Sequence, residues 1–142
     1  MVLVGIECQV SVDLVLVLDI SGSTRDAHLL SRILATSVIY GVNVNSGLAR
    51  VGIVFYSSTV IGQTYLSDHV RDREAVVNAL RLYSVARGTT NTAAALDAVR
   101  TQQLIASRGS RADVHKARQF TDCQRLLDIS RIIANKREPV LN

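Results

Sequence analysis

The sequence predicts an α/β domain: an open, doubly wound, mostly parallel sheet with helices on both faces. Two patterns carry that prediction. Residues 12–18 are β-branched and leucine-rich without alternation, as a strand buried on both faces of a parallel sheet requires. The segments after it then switch between helical and strand periodicity in the order of β-α units. Size agrees, since 142 residues with 48% hydrophobic content suffice for one core and are too few for two.

The elements follow in order. The first strand stops at Asp19, and Ile20-Ser21-Gly22-Ser23-Thr24 is a turn-forming stretch. Leu30, Ile33, Leu34 and Val38 then recur at the spacing of one helical face. Residues 41–47, with Asn43 and Asn45, break that helix, and Val51, Ile53 and Phe55 alternate with Gly52, Val54 and Tyr56 as a second strand. Ser57-Ser58 turns the chain into residues 59–66, an antiparallel partner at the sheet edge. Asp72 and Glu74 suit a helix N-terminus, and Val76, Leu80 and Tyr83 continue it. After the hydroxyl-rich loop Arg87-Gly88-Thr89-Thr90-Asn91-Thr92, residues 93–106 read as a third helix with Leu96 and Val99 facing inward. Residues 114–121 are the next strand by alternation, although Lys116, Arg118 and Gln119 are costly in a buried strand. Residues 124–135 read as a last helix bearing Leu126, Leu127, Ile129, Ile132 and Ile133.

Charge is unevenly placed. Residues 1–107 hold eight arginines and eight carboxylates, so the net charge of +4 resides in residues 108–142. That excess reads as a solvated surface, with contact to an anionic partner such as a sulfated polysaccharide as the alternative. Two lysines and few aromatics argue against a nucleic-acid surface. The apolar run 14–18 is far below the roughly 20 residues of a membrane span. Residues 1–9 include Glu7 and no basic leader, so no secretory signal is read there. Cys8 and Cys123 have no metal-ligand spacing, and His28, His69 and His115 lie apart and read as surface residues.

Ligands of open α/β sheets gather at the carboxyl ends of the strands. Asp19, Ser21 and Ser23 follow the first strand, Thr90 lies in a later loop, and Asp122 follows the polar strand. Residues two apart in an extended loop point to one side, so Asp19, Ser21 and Ser23 converge. Hydroxyl and carboxylate oxygens without imidazole or thiol suit a hard cation, Mg²⁺ first, with Mn²⁺ or Ca²⁺ as alternatives. Few ligand charges leave such an ion able to take a carboxylate from a partner.

Asp19-Ile20-Ser21-Gly22-Ser23 after a hydrophobic strand, Gly88-Thr89-Thr90-Asn91-Thr92 before a helix, and residues 49–58 together resemble the von Willebrand factor type A domain. The resemblance runs over residues 12–135 of a single domain spanning residues 1–142. It implies a metal-ion-dependent adhesion site in which Asp19, Ser21, Ser23 and Thr90 bind the ion. It adds Asp122 as a fifth ligand, although Cys123 stands where the family has glycine and the preceding residues are polar where the family is aliphatic. It further implies one more strand and helix beyond residue 135, so the chain is expected to be a fragment, truncated at its C-terminal end. Members of the extracellular-matrix kind, such as matrix collagens, matrilins and integrin inserted domains, bridge the cation to an acidic residue of a protein partner. An extracellular or secreted module within a longer protein is therefore expected, and not an enzyme. Two alternatives stay open: a degenerate domain without metal, and a Mg²⁺-dependent phosphotransfer enzyme. The latter wants a second carboxylate where Ser21 stands.

Overall fold

The computed structural model describes residues 9, 11–22, 25–86 and 88–114. Strand β1 (Val12–Asp19) leads into helix α1 (Arg25–Gly41), then β2 (Ala49–Tyr56), β3 (Val60–Thr64), helix α2 (Arg73–Ala79) and helix α3 (Thr92–Ala98). A π-helical turn (Val99–Gln103) extends α3, and a short 3₁₀ turn (Ala106–Arg108) follows. Among the described residues the sheet has the order β1-β2-β3. β1 and β2 are parallel and β2 and β3 antiparallel, as the alternating pattern and the Ser57-Ser58 turn predict.

Helices cover both faces. On one side Val12, Leu16 and Leu18 of β1 and Val51, Ile53 and Phe55 of β2 pack with Ala35 and Ile39 of α1 and Val76 and Ala79 of α2. On the other, Val15, Val17, Val54 and Tyr56 meet Ala95 of α3 and Val99. Residues 51–57 are buried without interruption, so β2 is the central strand. The cost of ordering this segment is offset by apolar area removed from water on both faces.

Gly52 admits a polar contact to that second face. A Cβ there would lie 2.3 Å from Gln103 Oε1, so only glycine lets the fully buried Gln103 approach the strand. Gln103 Nε2 donates to Gln63 Oε1 and to the Thr64 carbonyl, both at 3.0 Å, which ties the π-helical turn to β3.

The helices depart from the sequence reading in three places. Among the described side chains of α1 the buried ones are His28, Ala35 and Ile39, whereas Leu30 and Ile33 are exposed, because the face turned to the sheet is rotated from the most hydrophobic stripe. His28 is therefore not a surface residue. The third helix is regular only to Ala98; Leu96 points outward and the small residues Ala95 and Ala98 face in, letting the backbone approach β2 closely. Tyr83 lies beyond the end of α2, yet it still packs on the core with its ring 4.8 Å from Phe55. Val114 lies in a bend and is not the start of a strand. The expected strand and helix in residues 115–135, and both cysteines, lie outside the described residues.

The amino end of β1 is closed by an ion pair. Arg111 Nη2 lies 2.8 Å from Asp13 Oδ1, with the Asp13 side chain 8% exposed. The same guanidinium donates to the carbonyls of Val12, Gly47 and Leu48, at 3.0, 3.1 and 3.0 Å. Removing one partner of a buried pair leaves an uncompensated charge. Arg111→Ala is expected to lower stability by about 3 kcal/mol, read as a lower urea midpoint. A midpoint equal to that of the parent chain would show that water replaces the guanidinium without loss.

Candidate metal centre

β1 and β2 end together, with Asp19 opposite Tyr56 in the parallel register. The ladder runs one step further, Ile20 N donating to the Tyr56 carbonyl at 2.8 Å, before the chain turns. Asp19 is exposed at the strand end, while Ser21 is buried beneath the turn.

Asp19 organises that turn. Its Oδ1 accepts from Ser21 N at 2.8 Å and from Ser21 Oγ at 2.5 Å. An aspartate oxygen accepting from the backbone N–H two residues on is the turn chemistry for which this residue type is suited. Ser21 Oγ also lies 2.7 Å from Thr90 Oγ1, 69 residues away. A serine hydroxyl has one proton, and here it points to Asp19, so Thr90 is the donor of that second bond.

The Thr90 loop is sewn to both strand ends. Ala86 N donates to the Ile20 carbonyl at 2.8 Å, and Asn91 N to the Ser57 carbonyl at 2.7 Å. Gly88 has φ +140°, and a Cβ there would stand 2.7 Å from Ser58 Oγ, so the close passage over the β2 end needs glycine on two counts. Asn91, and not Thr90, caps α3, its side chain accepting from Ala94 N at 3.1 Å. The Thr90 hydroxyl is thereby left to face Ser21.

Of the five residues singled out by sequence, the fold brings Asp19, Ser21 and Thr90 together; Ser23 and Asp122 lie outside the described residues. The gathered donors are one carboxylate and two hydroxyls, a hard-oxygen set that fits a cation of the Mg²⁺ or Ca²⁺ type. Among the described residues no three His, Cys, Asp or Glu side chains cluster, so no nitrogen- or sulfur-rich site competes with it. Sequence reasoning missed His28, whose Nε2 lies 3.1 Å from the Ser21 carbonyl oxygen. A single histidine in a helix has no partner spacing to reveal it. Gly22, Ser58, Thr59, Thr89 and Asn91 around the cluster are exposed and uncharged.

Comparison with known proteins agrees with this fold. The pattern of the von Willebrand factor type A domain matches residues 13–120. Integrin alpha-1 from Gallus gallus is 30% identical over 110 residues, covering 78% of this chain; the chain spans 38% of that relative's length. Among solved structures, proximal thread matrix protein 1 from the mussel byssus superposes with a TM-score of 0.66 at 17% identity, over 75% of this chain and 28% of that one. A further structure of that mussel protein, described as having a zinc-occupied MIDAS motif, gives 0.68 at 17% identity over 76% and 29%.

The capping assignment has a direct check. Asn91→Ala is expected to lower stability by about 1 kcal/mol, whereas Thr90→Ala leaves the start of α3 intact. Thermal unfolding of the two variants would reverse in order if Thr90 were the cap.

Proposed function

Because the chain belongs to the von Willebrand factor type A domain family, we propose that it is a metal-dependent protein-binding module whose cation is held by Asp19, Ser21, Ser23 and Thr90, with Asp122 as the fifth protein ligand. The observation that carries this reading is the meeting of Asp19, Ser21 and Thr90 within hydrogen-bond reach at the joint end of β1 and β2. A cation held by these residues would supply a coordination position for a carboxylate oxygen of a protein partner.

The chain's own residues prepare that position. Asp19 is the only charged group of the described trio, so the site keeps most of the ion's charge available to an incoming acid. Ser21 directs its O–H at Asp19, which leaves an oxygen lone pair for the site. Thr90 is exposed, so its O–H can turn from Ser21 to water and leave an oxygen lone pair for the site. Mg²⁺ is the preferred ion and Mn²⁺ or Ca²⁺ the substitutes, since all take oxygen ligands.

The acidic partner is proposed to be an extracellular matrix protein, met outside the cell by this domain as part of a longer protein. No helix among the described residues is long and apolar enough to cross a membrane. The module is proposed to be non-enzymatic: phosphotransfer on Asp19 would want a second carboxylate where Ser21 stands, and the Ser21 hydroxyl is engaged with Asp19.

Isothermal titration with Mg²⁺ and Mn²⁺ tests the reading. One saturable site is expected, abolished in Asp19→Ala with the helical circular dichroism retained, and weakened in Asp122→Ala. Unchanged affinity in Asp19→Ala would overturn the site, and no binding by the folded parent chain would leave a scaffold role. Partner capture is expected to be lost with chelator and restored by Mg²⁺ or Mn²⁺.

A further inference from the structure

Ser21 is buried at 7% exposure, so each of its polar atoms needs a partner. Its N and Oγ are bonded to Asp19, and Oγ also meets Thr90. Its carbonyl oxygen is met by His28 Nε2 at 3.1 Å, from a ring that is itself 7% exposed. A carbonyl only accepts, so this contact requires the ring proton on Nε2.

The three bonds act on different parts of one residue. The peptide before Ser21 is fixed by Ala86 N on the Ile20 carbonyl and by Asp19 on Ser21 N. The peptide after it, which leads into the conformationally permissive Gly22, is fixed through the carbonyl that His28 holds. With both planar peptides anchored, the two soft torsions of Ser21 are set, and its hydroxyl stays aimed at Asp19 and Thr90.

We infer that His28 is a positioning residue for the cation site, acting from α1 through the Ser21 carbonyl to keep the Ser21 oxygen in place. This rests on the proposed metal site. Without the donor on His28, a buried carbonyl loses its partner and the peptide beyond Ser21 is free to rotate. Groups that hold metal ligands in orientation commonly matter to affinity by one to two powers of ten.

The test is Mn²⁺ titration of the parent chain, His28→Phe, His28→Met and His28→Gln, with circular dichroism to establish folding. Phe keeps the bulk without a donor, Met has the reach of Gln without a donor, and Gln sets its amide nitrogen as many bonds from Cα as Nε2. Binding about tenfold weaker is expected for Phe and Met, with Gln restoring affinity close to that of the parent chain. Ring ¹⁵N shifts of the parent chain are expected to show the proton on Nε2. Parent-like affinity in folded His28→Phe or His28→Met, or a ring protonated on Nδ1 alone, overturns the inference while the metal site stands. A folded parent chain that takes up no Mn²⁺ overturns both. If neither apolar variant folds, the ring shifts decide.

Discussion

The pairing of β1 with β2 is the constraint on which the other features depend. Eight consecutive residues of each strand run side by side and finish level, Asp19 against Tyr56. Backbone groups in a buried strand must find partners in the ladder, so the register cannot slip without also moving side chains to the wrong face. Once it is set, the turn after β1 and the turn after β2 leave the sheet at the same height. The Thr90 loop then bonds one backbone group at each, the Ile20 and Ser57 carbonyls. The oxygen cluster is thus a product of backbone pairing before it is a product of side-chain choice.

The two faces of the sheet serve that end differently. The face toward α1 and α2 is filled by large side chains, Phe55, Ile39, Ile53 and Leu80 among them, and sets the depth of the core. The face toward α3 has the small residue Ala95 packed with Val54 and Tyr56. Small residues bring α3 near β2, and its first turn is therefore held close to the strand ends. The Tyr56 hydroxyl, 3.2 Å from Thr92 Oγ1, adds a polar link at that end.

The strands were legible because their patterns are strong and local: an apolar run over residues 14–18 for β1, alternation for β2, a Ser-Ser turn before β3. Asp19, Ser21 and Thr90 were legible because each sits where a strand or helix signal stops, in loops that a sheet of this class brings together. The helix faces were less so. α1 carries Leu29, Leu30, Ile33 and Tyr40 on exposed surface while His28 and Ala35 face inward, so apolar spacing pointed to a neighbouring stripe. Burial there is decided by packing against the sheet, which outweighs the intrinsic pattern of one helix. That Asn91 caps α3 while the Thr90 hydroxyl faces Ser21 is a one-residue distinction that only the geometry of the loop resolves.

The clasp at the other end of β1 bears on the order in which the domain gains its structure during synthesis. Asp13 and Arg111 are separated by 98 residues. A contact that distant in sequence closes a large loop and is favoured only after the intervening chain has been ordered. On the ribosome, β1, α1 and β2 emerge long before Arg111 does, and through that interval the Asp13 carboxylate remains hydrated and the Val12, Gly47 and Leu48 carbonyls lack the guanidinium that later binds them. β1 is thus secured late, and a chain released before residue 111 lacks that clasp.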